Sequence, residues 1–95
     1  MTKILVVDDE INQRSALAGV IMRWGYEVIT AQNGMDALNK LKSFEADVVV
    51  TDLNMPEMDG KELLEELHKS PTAPLAIVLT GFGSVETALI GRAHV

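Results

Sequence analysis

Apolar residues along this chain fall into two alternating rhythms. Four short runs, KILVV (3–7), EVIT (27–30), DVVVT (47–51) and LAIVL (75–79), are rich in β-branched residues and apolar on both faces. That is the pattern of parallel strands covered by helices on either side. Between the runs the spacing lengthens to three and four. In 33–44, Ala37, Leu38, Leu41 and Phe44 share one helical face, with Asn33 placed to cap the start. In 60–69, Leu63, Leu64 and Leu67 form a stripe, and Glu65 and Lys69 have the i,i+4 spacing of a helical ion pair. Strand and helix in repeated alternation predict an α/β domain built on a doubly wound parallel sheet.

The first helix, about residues 10–24, breaks the proportion. Val20, Trp24, Leu17, Ile21, Ala18, Ile11 and Met22 spread over roughly 200° of its wheel, about twice the width of a minimal core-facing stripe. Such a helix is expected to pack against a second helix as well as the sheet, and the rest of the chain offers no obvious candidate.

Composition narrows the function. Ninety-five residues fit a single domain, and 47% hydrophobic with 4% aromatic residues suits an aliphatic core. A net charge of −6 argues against direct nucleic-acid binding and against a polybasic membrane surface. With no cysteine, disulfides and thiolate metal sites are out of the question. The apolar stretch after Met1 is too short for a secretory core or a membrane span, so a cytoplasmic location is expected.

Polar groups sit where three strands end. The first strand runs into Asp8-Asp9-Glu10, the third into Asp52 and the fourth into Thr80. In parallel α/β sheets chemistry gathers outside these carboxyl ends. Converging carboxylates repel unless one holds a proton or a cation lies between them. Hard oxygen ligands of this kind suit Mg²⁺. A carboxylate beside such an ion can attack a phosphoryl group, with a hydroxyl such as that of Thr80 bonding a phosphoryl oxygen. Pro56 and Gly60 shape the loop after Asp52, from which the main-chain carbonyl of Asn54 can turn toward the metal. Taken one at a time, each has a plainer reading: Asp8-Asp9 as a helix N-terminal device, Asp52 as a loop-starting acid, Thr80 as a strand-end hydroxyl. Their joint placement favours the site.

The runs ILVVDDE, DVVVTDLNMPEMDG and IVLTGFGSVETA together resemble the receiver domain of two-component response regulators, over about residues 3–89 of the single domain 1–95. TGFGSVETA is most similar to receivers of sigma-54-type transcription activators. The resemblance implies a flavodoxin-like fold in which Asp52 accepts a phosphoryl group from a histidine kinase. It implies Mg²⁺ held by the side chains of Asp9 and Asp52 and the backbone carbonyl of Asn54, with Asp8 acting through water. It further implies that Thr80 is the switch hydroxyl and that Asn54 and Phe82 tune the lifetime of the phosphorylated state. The chain would be a signalling acceptor in transcription regulation rather than an enzyme, catalysing at most its own phosphorylation and dephosphorylation.

The family pattern also includes a fifth parallel strand carrying a lysine and a fifth helix, for which this chain has no counterpart. A fold cut to about four strands and four helices is therefore expected, with Arg92 on the fourth helix. Neither Lys61 nor Lys69 stands in for the lysine, so there is no catalytic lysine. Loss of one charge-assisted hydrogen bond, worth about 1.5–3 kcal/mol, corresponds to phosphorylation slowed roughly ten- to a hundredfold. The first helix and the edge of the fourth strand would be left exposed, and self-association through them is expected. Two other functions remain in view. A Mg²⁺-dependent phosphohydrolase would want an Asp-x-Asp signature, where this chain has Asp8-Asp9 and Asp-Leu-Asn at 52–54. A phosphorylation-silent dimerising module fits the missing lysine. The phosphate loop of nucleotide-binding proteins is excluded for want of its Gly-rich lysine motif. His68 and His94 read as surface residues, and Glu57, Glu62, Glu65 and Glu66 as a solvated face.

Overall fold

The computed structural model of the chain describes residues 2–52, 60–69, 73–81 and 85–90. In order these form β1 (Lys3–Val7), α1 (Ile11–Arg23), β2 (Glu27–Ala31), α2 (Gly34–Lys40), β3 (Val48–Asp52), α3 (Gly60–Leu67), β4 (Leu75–Gly81) and β5 (Val85–Ile90). They make one sheet in the order β2-β1-β3-β4-β5. The first four strands are parallel, as their two-sided apolar pattern predicts.

Alternation along each strand divides the core. Leu5, Val7 and Val49 point to one face, where Ala37 of α2 and Leu63 and Leu67 of α3 cover them. Ile4, Val6 and Val50 point to the other face, where Ile21 and Leu17 of α1 pack. The N-terminal ends of the strands are tied by Asp47. Its carboxylate accepts the Lys3 N–H at 2.8 Å and its carbonyl accepts the Leu75 N–H at 3.0 Å. The start of α1 is capped by Glu10, and its end by Gly25 at φ 98°, a left-handed conformation open to glycine. No described helix is long and apolar enough to cross a membrane.

The two faces are unequally covered. On β4, Ala76 and Val78 are buried against Leu64 of α3, while Ile77 and Leu79, on the α1 side, are only half-buried. Among the described residues α1 alone covers that face. Beside it lies an apolar groove of about 460 Å³, lined by Ile4, Leu17, Ile21, Trp24, Val48 and Ile77 among others, none of them charged.

Three expectations need correction. Residues 85–90, placed where a fourth helix was expected, form a strand antiparallel to β4, with register Gly81↔Val85 to Ala76↔Ile90. An antiparallel return needs only a short connection, here residues 82–84, and Val85, Thr87 and Ile90 suit a strand. The same pairing closes the β4 edge that was expected to lie open, so that edge is not a route to self-association. Arg92 lies outside the described residues. Second, α2 ends at Lys40 rather than Phe44, because bonds of i→i+3 type, Lys42 N–H to Asn39 and Ser43 N–H to Lys40, tighten its last turn. Third, Lys69 pairs with Glu66 at 2.7 Å rather than with Glu65, since the chain has left the helix at Leu67.

This asymmetry should appear in stability. Leu63 is 0% exposed, so Leu63→Ala should cost about 2–5 kcal/mol in urea unfolding. Leu79→Ala, on the open side, should cost less than about 2 kcal/mol, because water already reaches part of its surface.

Candidate functional site

Parallel pairing of β1 with β3 determines which side chains meet. The register runs from Ile4↔Val48 to Val7↔Thr51, so the next residue on each strand, Asp8 and Asp52, emerges side by side at the carboxyl end of the sheet. Asp9 joins them, and one carboxylate oxygen from each of Asp8, Asp9 and Asp52 lies within 4.8 Å of the others. Asp8 is buried, Asp52 half-buried and Asp9 exposed, so the cluster opens outward from a recessed floor.

The acid triplet 8–10 is divided by role. Glu10 is the helix device: its two carboxylate oxygens accept the N–H groups of Asn12 at 3.2 Å and Gln13 at 2.9 Å, capping α1. Asp8 and Asp9 are free of that duty and turn to Asp52. The Asp8 Oδ1 accepts the Glu10 N–H at 2.9 Å, which fixes the turn out of β1.

Burial is the main force that pushes the Asp8 carboxyl above its ordinary range. The Glu10 N–H opposes it, while Asp52, Asp9 and a hydrogen bond shared with the Asp9 side chain add to it. A cation held among the three would relieve both the desolvation and the repulsion. Three carboxylates at this separation, one recessed and one exposed to carry solvent, fit a hard divalent ion that keeps some of its water, as Mg²⁺ does.

Of the other expected site residues, Thr80 is placed by its backbone, one residue before the end of β4 and opposite Glu86; its side chain is outside the described set. Asn54 and Phe82 lie outside the described residues, as does His94. His68 is exposed just after α3. Two contributors were not singled out from sequence. Thr51, fully buried, donates its hydroxyl to the Asp52 carbonyl at 2.9 Å. Arg14 donates from Nη1 to the Asp8 carbonyl at 2.8 Å. Thr51 stands inside an apolar run, which marks it as a buried polar group needing a partner. No spacing rule pairs Arg14 with a residue six positions earlier.

The titration of Asp8 gives a signed test. The folded state favours its protonated form, so this group's contribution to stability is fully present below the ordinary value of 3.8 and is lost as pH rises through the raised pKa. Asp8→Asn keeps an acceptor for Glu10. Without divalent ions it should melt higher than the parent at neutral pH, and the gap should close as pH falls below 3.8. Melting curves across pH check this.

Comparison with known proteins agrees with this geometry. The response regulator receiver domain family matches residues 4–93. The transcriptional regulatory protein ZraR of Klebsiella oxytoca is 41% identical over 87 residues, covering 90% of this chain and 19% of ZraR. The chain thus spans about a fifth of that relative's length. The response regulator TrrA of Thermotoga maritima, solved in complex with Mg²⁺–BeF, has a TM-score of 0.81 and 41% identity, over 87% of this chain and 72% of TrrA. A second structure holds TrrA in complex with the histidine kinase ThkA, with TM-score 0.79 and 40% identity over 88% of this chain and 72% of that one. A family match over nearly the whole chain, on a sheet whose first and third strands end in paired acids, makes this chain a member of the response regulator receiver domain family.

Proposed function

We propose that the chain is a phosphoacceptor: Asp52 takes a phosphoryl group from a phosphohistidine of a histidine kinase, with Mg²⁺ in the acid cluster. The observation that carries this reading is the convergence of Asp8, Asp9 and Asp52 within 4.8 Å at the ends of β1 and β3. An oxygen of Asp52 forms a bond to phosphorus as the bond to the donor's imidazole nitrogen breaks, and the leaving imidazole takes up a proton. Asp9, Asp52 and the backbone carbonyl of Asn54 would hold the ion, with Asp8 reaching it through water. When bound, Mg²⁺ neutralises charge on the transferring oxygens. Thr80 would then move its hydroxyl toward the phosphoryl group, and Asn54 and Phe82 would set how long it persists. The TrrA–ThkA complex supports a histidine kinase as the partner.

Transfer is slow in this reading, because the lysines with described partners are committed away from the cluster. Lys40 is engaged by Asp36 and the Thr30 carbonyl, and Lys69 by Glu66. The five strands carry one lysine, Lys3, at the opposite end of the sheet.

A second reading, a phosphorylation-silent module that pairs with its own copy, is favoured by the groove beside α1. Its lining carries no charge, so an apolar partner fills it without desolvating an ion. Trp24, which lines it and is 69% exposed, supplies that apolar surface from a two-fold-related copy.

Intact mass after incubation with Mg²⁺ and a small phosphodonor tests the first reading. The parent should gain one phosphoryl unit and Asp52→Asn none; a folded parent that gains nothing sinks the proposal. Sedimentation tests the second: a dimer at tens of micromolar that Trp24→Glu reduces to monomer is the expected outcome. A parent that sediments as a monomer there rules it out.

A further inference from the structure

The side chain of Arg14 reaches into the turn that carries Asp8 and Asp9. From the first turn of α1, where its N–H bonds the Glu10 carbonyl at 2.9 Å, it sends Nη1 back to the Asp8 carbonyl at 2.8 Å. That carbonyl lies just past the last ladder pairs of β1, Val7↔Ala31 and Val7↔Thr51. It also precedes the first carbonyl of the α1 ladder, that of Glu10. The guanidinium therefore does for this group what neither sheet nor helix does.

The peptide plane that contains the Asp8 carbonyl is the one that joins Asp8 to Asp9. Its tilt sets the direction in which both side chains leave the backbone. The N-terminal side of the turn is held by the Asp8 N–H, which donates to Ala31 at 3.1 Å, and the C-terminal side by the Glu10 cap. Arg14 holds the plane between them. Arg14 also lines a polar crevice of about 250 Å³ with Thr30, Gln32, Asp36 and Lys40. The causes that shift Asp8 are burial, Glu10, Asp52 and Asp9. The charge of Arg14 serves to strengthen a hydrogen bond to a carbonyl.

We propose that Arg14 is a positioning residue for the cation site, orienting the Asp8–Asp9 peptide so that the two carboxylates converge with Asp52. This rests on the phosphoacceptor reading in so far as that reading places Mg²⁺ there. Groups that orient metal ligands from behind contribute roughly 10- to 100-fold in metal affinity.

The test is the Mg²⁺ dependence of thermal unfolding, measured on the parent and on Arg14→Met, Arg14→Gln and Arg14→Lys. Mg²⁺ that binds only the folded chain raises its melting temperature, and the concentration dependence of that rise reports affinity. Both Arg14→Met and Arg14→Gln should need about tenfold more Mg²⁺ than the parent for the same rise. Arg14→Lys still offers a charged donor and should recover most of the loss. With phosphodonor present, the variants should reach the parental rate at high Mg²⁺, separating weaker ion binding from slower chemistry. Parental Mg²⁺ dependence in either the methionine or the glutamine variant overturns the proposal, as does a lysine variant as weak as the methionine one. Should the methionine variant fail to fold, the glutamine and lysine variants carry the comparison. A parent that shows no response to Mg²⁺ overturns the cation site itself, an outcome distinct from variants that respond as the parent does.

Discussion

The site depends on one constraint, the parallel registration of β1 with β3. Once Val7 lies opposite Thr51, the strands deliver Asp8 and Asp52 to neighbouring positions whether or not their charges tolerate it. Apolar pairing on both faces of the sheet holds that registration: slipping it by one residue would turn every inward side chain to the wrong face. Like charges are thus forced together by the hydrophobic core, and the Asp8 pKa is raised, by burial first and by its neighbours Asp52 and Asp9 after it. A parallel sheet in this order offers few other ways to bring carboxylates from distant parts of the chain so close. The cost of assembling them falls on folding, and a cation held there would recover it.

Around that constraint the local devices are arranged to hold the acids still. Glu10 spends its carboxylate on the first turn of α1, Thr51 ties the Asp52 carbonyl, and Arg14 ties that of Asp8. Among the described residues the core is closed on the side of α2 and α3 and open on the side of α1. The acid cluster sits at one end of the sheet, while the groove lies along one face. Strands β1 and β3 border both.

Most of this was legible in the residues. The four parallel strands were marked by β-branched runs and the helices by leucine spacing, and the ends were placed within a few residues. The family of the chain could be named from the runs ILVVDDE, DVVVTDLNMPEMDG and IVLTGFGSVETA. What escaped depended on contacts that spacing does not encode. The segment 85–90 has both helix and strand formers in Val-Glu-Thr-Ala-Leu-Ile, and the free backbone of β4 decided for strand, a tertiary effect that overrides propensity. The pairing of Lys69 depended on where α3 stopped. The contact of Arg14 with Asp8 depends on the path of a three-residue turn, and the capping role of Glu10 could not be separated from the acid cluster until the turn's geometry divided the triplet. The first helix was expected to want a second neighbour; Ile11 and Met22 on it are exposed, and Ile77 and Leu79 on the sheet beside it are half-buried.

The central claim is that β1 and β3 together build a cation site. It is tested most directly by crystals grown with Mn²⁺ as a Mg²⁺ surrogate, whose anomalous scattering locates the ion without reference to the chain. The account predicts one strong peak among Asp8, Asp9 and Asp52, with direct bonds from Asp9 and Asp52 and a water between the ion and Asp8. A peak elsewhere, or none at an ion concentration that saturates the protein's thermal response, would contradict it.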